Sequence, residues 1–219
     1  MTPNARARLG PVSGDLPIQE ADTKALDALV GRDAVHQGVV LECVPLDRLD
    51  GSELHRLSDA TLVLVLDQVT DPHHVGAILR SAAAMAVDAV LVTARNAPAE
   101  TGVLAKSASG ALDHVVVGEV RNMRKALAEL TGMGFATVGL DSAGSHELPE
   151  TLAFGPERIA LVLGAEGRGL REGTREACSS LARLAMPGPI KSLNVSNAAA
   201  LALYVARQAL DRRYSSKPR

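Results

Sequence analysis

The chain has 219 residues, of which 47% are hydrophobic and 22% charged, and its formal net charge is −2. This composition is typical of a globular protein with an aliphatic core, and it excludes an intrinsically disordered chain. Two Phe, two Tyr and no Trp exclude recognition by rows of stacked rings. The nearly neutral charge also excludes a uniformly basic surface, so a nucleic-acid partner would have to bind a local patch.

The two cysteines, Cys43 and Cys178, lie far apart and belong to no Cys-x-x-Cys or Cys/His cluster. This pattern predicts reduced thiols and no structural metal site. No apolar run approaches the roughly 20 residues that cross a bilayer, and the first ten residues lack the apolar stretch of a secretory signal. We therefore expect a cytoplasmic protein without a membrane segment.

The first 60 residues are weakly patterned and carry ten acidic and six basic side chains, a net charge of −4. They predict a helix near residues 21–29 and a strand over the short apolar run 38–44.

Beyond residue 61, apolar runs rich in β-branched residues alternate with segments of helical period. This alternation predicts an α/β domain with a mainly parallel sheet and helices on both faces. The predicted strands are 62–66, 89–93, 115–117, 135–140, 159–163 and 181–186. The predicted helices are 75–86, about 100–106, 121–131, 172–179 and 195–212.

In sheets of this kind ligands bind beyond the carboxyl ends of the strands. The loop after the first of these strands contains Asp71 and Pro72, which predict a turn and a helix entry, and Gly76, which permits close backbone approach. Arg80 is then expected about one turn into the helix, near the end that favours anions. The adjacent His73 and His74 have no third ligand at helical spacing, so we predict no metal there.

A second loop, residues 163–170, reads LGAEGRGL directly after a predicted strand. Its glycine spacing is neither that of the dinucleotide fingerprint nor that of the P-loop, which argues against a nucleotide-dependent enzyme. Three glycines can nevertheless expose backbone donors and acceptors to a small ligand. Glu166 is equally compatible with an exposed turn and with a hydrogen-bond acceptor at a site.

A third segment, residues 186–197, contains a rigid Pro-Gly-Pro bend and leads into the last predicted helix. Either Asn194 or Ser196 would serve as its N-cap. That helix is apolar over more than one face, which predicts deep burial or contact with another subunit.

Together these segments resemble the three motifs of the SpoU family of RNA 2′-O-ribose methyltransferases, within the SPOUT superfamily. Residues 71–82 (DPHHVGAILRSA) are similar to the family's DPxNxGAxxRSA, residues 163–170 to LGxEGxGL, and residues 192–196 to SLNVS. Order and spacing agree, and the resemblance covers about residues 62–208. Residues 106–111 (KSASGA) further resemble a segment of the branch that methylates a guanosine in large-subunit (23S) ribosomal RNA.

The resemblance implies an S-adenosylmethionine (AdoMet)-dependent homodimer that acts on this RNA, with a C-terminal deep trefoil knot. Arg80 would bind a phosphate and position the reacting ribose, because an Arg is hard to deprotonate. Asn194 and Ser196 would orient Arg80 and the ribose, and Glu166 would hold the motif loops or the substrate.

The implied catalytic residues are Arg80, Asn194, Ser196, Glu166 and His74. The implied cofactor-binding residues are Leu163, Gly164, Gly167, Leu184, Met186, Ser192 and Leu193. The implied RNA-binding residues are Arg80, Lys106, Arg168, Arg171 and Lys191.

The chain departs from the family pattern in two places. His74 stands where the motif has Asn, although both side chains can donate one hydrogen bond and accept another. Residues 33–40 resemble only the segment that closes the family's small L30e-like RNA-recognition domain. We therefore expect residues 1–58 to form a partial L30e-like α/β unit and linker, either truncated or reduced, and residues 59–219 to form the methyltransferase domain.

Two alternatives stay open at this point. One is 2′-O-methylation of transfer RNA, and the other is a catalytically impaired RNA-binding or ribosome-assembly protein.

Overall fold

The computed structural model describes residues 1–12, 16–31, 34–95, 97, 101–154 and 156–216. Contacts divide the chain into two compact units, Met1–Leu46 and Asp47–Arg219. The division lies earlier in the chain than the expected position near residue 58.

The described residues of the first unit form two helices, α1 (Pro3–Leu9) and α2 (Thr23–Val30). The Thr2 and Asp22 side chains cap these helices by accepting hydrogen bonds from the amides of Ala5 and Ala25. The predicted strand over 38–44 is wrong, because these residues form no strand and Val44 is 87% exposed. A strand needs a neighbour for its backbone groups, and the described residues of this unit offer none. Asp33, part of the L30e-like resemblance, lies outside the described residues.

An eight-stranded sheet forms the centre of the second unit, and all its neighbouring strands are parallel. The strand order is β1-β4-β3-β2-β7-β5-β8-β6. The strands are β1 (Leu49–Asp50), β2 (Leu62–Asp67), β3 (Ala89–Thr93), β4 (Val116–Val120), β5 (Ala136–Leu140), β6 (His146–Glu147), β7 (Ile159–Gly164) and β8 (Ser180–Arg183).

The six predicted strands of this unit are confirmed, with differences at their ends. The last ends at Arg183, earlier than predicted, because residues 184–186 leave the sheet. The two-residue strands β1 and β6 were not predicted. The central strands β2 and β7 are almost entirely buried, which explains their continuous apolar sequences.

Helices cover both faces of the sheet, as predicted. They are α3 (Pro72–Ala84), α4 (Gly102–Ala108), α5 (Met123–Gly132), α6 (Leu148–Thr151), α7 (Glu172–Ala177) and α8 (Val195–Ser216), with 3-10 helices at Gly51–Leu57 and Ala111–Asp113. One core joins the sheet to α3, α4, α6 and α8, and the other joins it to α5 and the first 3-10 helix.

Helix α3 begins three residues before its predicted start. The Asp71 carboxylate accepts hydrogen bonds from the amides of His73 (2.7 Å) and His74 (3.4 Å), and Pro72 occupies the first turn. Arg80 therefore lies more than two turns into α3, and its predicted place near the helix N-terminus is wrong. Helices α3 and α4 cross at Gly76, where a Cβ atom would lie 2.6 Å from the Leu104 carbonyl oxygen.

Replacing Arg158 by Met should lower the free energy of unfolding by about 2–4 kcal/mol. Its guanidinium donates hydrogen bonds to the carbonyl oxygens of Ala60 (2.8 Å), Met133 (2.6 Å) and Leu57 (2.6 Å), and it stacks on the Phe135 ring. Methionine fills the space but removes the Arg158 donor from the carbonyl oxygens of Ala60 and Met133, and it leaves the Leu57 oxygen with only the Ala60 amide. Urea denaturation measures the loss, and the exposed Arg56→Met is the matched control, expected to cost under about 0.5 kcal/mol. Equal losses for the two variants would contradict this role of Arg158.

Cys178 should resist alkylation in the folded protein while Cys43 reacts. Burial, with a smaller contribution from the negative charge of Asp67, raises the pKa of the Cys178 thiol to about 12. At pH 8 only about one Cys178 in ten thousand would be the reactive thiolate. Cys43 is exposed. Mass spectrometry after a short iodoacetamide pulse measures both sites, and comparable labelling of the two would disprove the burial argument.

Candidate functional site

A cleft of about 770 Å³ opens at the carboxyl ends of β5, β7 and β8. It is lined by all seven residues expected to bind a cofactor: Leu163, Gly164, Gly167, Leu184, Met186, Ser192 and Leu193. Glu166 and Lys191 also line it. The segment that leaves the sheet after β8 forms one wall, and the glycine loop after β7 forms another.

The glycine loop folds tightly on itself at Gly164, the last residue of β7. The Gly169 amide donates a hydrogen bond to the Ala165 carbonyl oxygen at 2.8 Å. A Cβ atom at residue 164 would lie 2.0 Å from the Gly169 carbonyl carbon and 2.3 Å from the Leu170 nitrogen. Only glycine fits at this position, so the close turn that walls the cleft depends on it.

The three motif segments meet at His74. Its Nδ1 atom lies 3.3 Å from Nδ2 of Asn194, and its Nε2 atom lies 3.6 Å from Oε2 of Glu166 and 3.8 Å from Oδ2 of Asp71. The His74 side chain thus lies beside residues of all three motifs. Partial burial opposes ionisation of Asp71, but hydrogen bonds from the amides of His73 and His74 outweigh it and lower the pKa of that carboxyl.

The contacts of Asn194 indicate which ring nitrogen of His74 carries the proton in the neutral imidazole. The Asn194 Oδ1 atom accepts hydrogen bonds from the Ser196 amide (2.9 Å) and the Ser196 hydroxyl (2.6 Å). The Asn194 amide nitrogen must therefore point at His74 and donate to its Nδ1 atom. The neutral imidazole then carries its proton on Nε2, on the side that faces Glu166 and Asp71.

Arg80 lies apart from this cluster. It is exposed, and within the described residues it makes no hydrogen bond or ion pair. Six residues separate it from His74, or about 9 Å along the helix axis. The polar side-chain atoms of Asn194 and Ser196 bond to each other and to His74 and make no contact with Arg80 within the described residues, so their orientation of Arg80 stays a prediction.

The residues expected to bind RNA divide into two groups. Lys106 and Arg168 are exposed, and their side chains are unpaired within the described chain. Arg171 is committed instead to the buried Asp67, through Nη2 at 2.6 Å and Nε at 2.8 Å. Lys191 donates to the Met186 carbonyl oxygen at 2.8 Å. Arg171 and Lys191 are thus engaged within the protein, whereas Lys106 and Arg168 have no partner among the described residues, and RNA binding by these four side chains stays a prediction.

Sequence reasoning missed the polar residues at the far end of the cleft, namely Asp141, Ser142, Glu147 and Arg183. The Asp141 carboxylate pairs with Arg175 at 3.2 Å, and Arg183 donates to the carbonyl oxygens of Gly144 and Ser145. Only their position in the fold could have indicated them, because the loop after β5 reaches the same edge of the sheet as the motif loops.

Among the described helices none is long and apolar enough to cross a membrane. The same part of the chain holds no group of three or more His, Cys, Asp or Glu side chains placed to bind a metal ion.

Comparisons with known proteins agree with the three motifs. The family described as SpoU rRNA Methylase matches residues 61–204. The 23S rRNA (guanosine-2'-O-)-methyltransferase RlmB of Xylella fastidiosa is 40% identical over 195 residues, 87% of this chain and 77% of the relative. RlmB of Vibrio cholerae is 37% identical over 207 residues, 91% of this chain and 83% of the relative.

A solved structure shares the fold. The SpoU methyltransferase AviRb from Streptomyces viridochromogenes, in complex with the cofactor AdoMet, aligns with a TM-score of 0.61 and 26% identity over 72% of this chain and 62% of that chain. The motifs, the parallel sheet and these matches lead to one conclusion: the chain belongs to the SpoU rRNA methylase family.

Proposed function

We propose that this protein transfers the methyl group of AdoMet to the 2′-hydroxyl of a guanosine ribose in 23S ribosomal RNA. The observation that carries the proposal is the meeting of the three motif segments at His74, beside a cleft lined by all seven expected cofactor residues. The relatives that match most of the chain carry the name of this activity.

The cleft suits AdoMet in size and in lining. Its volume of about 770 Å³ lies within the usual range of small-ligand pockets, roughly 300–1,000 Å³. Main-chain groups of Leu163, Gly164, Leu184, Met186 and Leu193 would hold the adenosine and methionine parts of the cofactor. When bound, AdoMet supplies an electrophilic methyl group on its sulfonium.

The protein must align a weak nucleophile with that methyl group and exclude water. His74 and Asn194 would fix the relative positions of the motif loops, and Glu166 would present its carboxylate at the cleft. A guanidinium group is a poor general base, so the task of Arg80 would be to bind a phosphate next to the reacting ribose.

We also propose the architecture that the family resemblance implies. The C-terminal segment would form a deep trefoil knot, an arrangement supported by the entry of β8 between β5 and β6 and the packing of α8 against α3. Residues 1–58 would be a partial L30e-like RNA-recognition unit and linker, and residues 59–219 the methyltransferase domain.

A homodimer in the cytoplasm is the assembly that we propose. Helix α8 is buried along one side, yet Leu201 and Tyr204 are 52% and 55% exposed on the other. Alanines 198 and 200 flank them. Such an apolar stripe on a helix next to the cleft is suited to contact with a second copy.

Replacing His74 by the family's Asn should leave methyl transfer within about tenfold of the wild type, because Asn also provides a donor and an acceptor. His74→Ala should lose more, since the Asn194 amide then lacks its acceptor. Initial rates with tritiated AdoMet compare the three proteins. If the His74→Asn variant transferred methyl groups while the wild type did not, the impaired RNA-binding or assembly protein would be the better description.

The test of the proposed function is an AdoMet titration by calorimetry, followed by methyl transfer to separated 23S, 16S and transfer RNA. Naked and assembled ribosomal RNA are assayed in parallel. We expect saturable AdoMet binding and transfer to 23S RNA alone. Transfer to transfer RNA would support the alternative substrate, and AdoMet binding without any transfer would contradict the proposed activity.

A further inference from the structure

Several exposed cations lie at the carboxyl edge of the sheet, on the β3 and β4 side of the motif loops, which follow β2, β7 and β8. Arg95 follows β3, Arg121 follows β4, and Arg124 and Lys125 occupy the first turn of α5. All are exposed. None of their side chains makes a hydrogen bond or an ion pair within the described residues, and none of them was among the expected site residues.

Several other arginines of the same unit are engaged, whereas these four cations have no partner within the described residues. The pairs include Arg48 with Glu119, Arg171 with Asp67 and Arg175 with Asp141. Arg158, Arg183 and Arg207 bind carbonyl oxygens. Unpaired cations on a folded surface retain their full charge for a partner.

Two carboxylates lie near these cations without neutralising them. Asp50 and Glu129 share with Arg121 and Lys125 a shallow groove of about 350 Å³. Hydrogen bonds from the Ser52 hydroxyl and amide, and more weakly the charge of Arg121, lower the pKa of Asp50. Neither carboxylate lies within 4 Å of a charged nitrogen of Arg121 or Lys125 in the described chain, and the three cations Arg121, Arg124 and Lys125 outnumber the two carboxylates.

The distance from these cations to the motif loops suits a nucleic-acid strand. All strands are parallel, so the ends of β4 and β7 lie on the same edge, three strand spacings or about 14 Å apart. A stacked strand advances about 3.4 Å per phosphate, so about four nucleotides would span this distance. Arg168, which follows β7, marks the near end of the path.

We infer that Arg95, Arg121, Arg124 and Lys125 form a phosphate-binding surface for the RNA strand that flanks the methylated nucleotide. The inference rests on the proposed function and adds to it a second point of contact with the substrate. No aromatic side chain belongs to this surface, so the strand is held through backbone charge rather than base stacking. Binding there is independent of sequence and sensitive to salt.

The test compares two charge-matched double variants of the full chain. Arg121→Gln/Lys125→Gln removes two cations of the surface. Arg56→Gln/Arg212→Gln removes two exposed cations near the opposite edge of the sheet, where Arg56 precedes β2 and Arg212 lies near the end of α8. The probe is a 23S RNA fragment that the wild type binds, and its affinity is measured by anisotropy over a range of KCl concentrations.

For the surface variant we expect the slope of log affinity against log salt to fall by about 1.4, or about 0.7 for each phosphate that is no longer neutralised. The affinity at 0.1 M salt should fall about tenfold or more, while AdoMet affinity, which reports correct folding, should stay at the wild-type value. Arg95→Gln, on a different loop, should lower the slope by about 0.7. The opposite-edge variant should match the wild type.

Equal slopes for the wild type and the surface variant would overturn the inference. So would an equal loss in the opposite-edge variant, because the effect would then be one of net charge. Failure of the proposed function looks different: the wild type would transfer no methyl group to any RNA fragment, whatever the salt dependence of its binding.

Discussion

Arg80→Ala should lower the rate of methyl transfer to 23S RNA by about 10²–10³-fold, the usual cost of losing a charged group that stabilises the transition state. AdoMet affinity should stay within about twofold, because Arg80 does not line the cleft. The side chain is exposed and unpaired within the described residues, so its removal leaves no buried group unsatisfied. The loss should therefore fall on catalysis rather than on folding.

Single-turnover rates at saturating AdoMet measure this effect. Arg56→Ala is the matched control, since Arg56 is also exposed but lies in the 3-10 helix that precedes β2. Arg80→Lys adds a second comparison. It keeps the charge but not the planar fork that binds a phosphate through two hydrogen bonds, so an intermediate rate is expected. An unchanged rate for Arg80→Ala would show that Arg80 takes no part in methyl transfer.

Gly164→Ala should weaken AdoMet binding by about a hundredfold or more, and methyl transfer should fall with it. The added methyl group would lie 2.0 Å from the carbonyl carbon and 2.2 Å from the carbonyl oxygen of Gly169. These are backbone atoms, so the clash is relieved only if the glycine loop opens. An open loop removes one wall of the cleft, which costs several kcal/mol of cofactor binding by the usual relation between affinity and free energy.

Gly132→Ala provides the control for this change. Residue 132 ends α5, its backbone is not in the left-handed region, and an added Cβ atom would meet nothing within 4 Å. Calorimetric titration with AdoMet should give the wild-type affinity for Gly132→Ala and an affinity about a hundredfold or more weaker for Gly164→Ala. Wild-type affinity in Gly164→Ala would show that the loop does not form part of the cofactor site.

The sheet was largely predictable because its strands are buried on both faces. Strands such as β2 and β7 must then be continuously apolar, and the sequence carries that signal without any partner information. The two-residue strands β1 and β6 carry no periodicity at all. The apolar run 38–44 has the composition of a strand but lacks a neighbour to pair with, which local sequence cannot reveal.

The motifs predicted which residues belong to the site, but not which of their side chains contact one another. The resemblance implied site residues of which nine line one cleft, but it did not indicate the contact between Asn194 and His74. The contact of Asn194 with His74 joins residues 120 apart in sequence, and that of Arg171 with Asp67 joins residues 104 apart. Such pairs depend on which strand ends are neighbours in the sheet, and spacing along the chain does not contain that order. The start of α3 at Pro72 then placed Arg80 almost two turns away from the cluster.

The decisive question for this protein is whether the methyl group reaches a ribose oxygen of guanosine in 23S RNA. Mass spectrometry of the nucleosides released from 23S RNA, after incubation with the protein and isotopically labelled AdoMet, answers it. We predict label in 2′-O-methylguanosine and in no base-methylated nucleoside. Label on a base, on another nucleoside or in no nucleoside at all would contradict the proposed reaction.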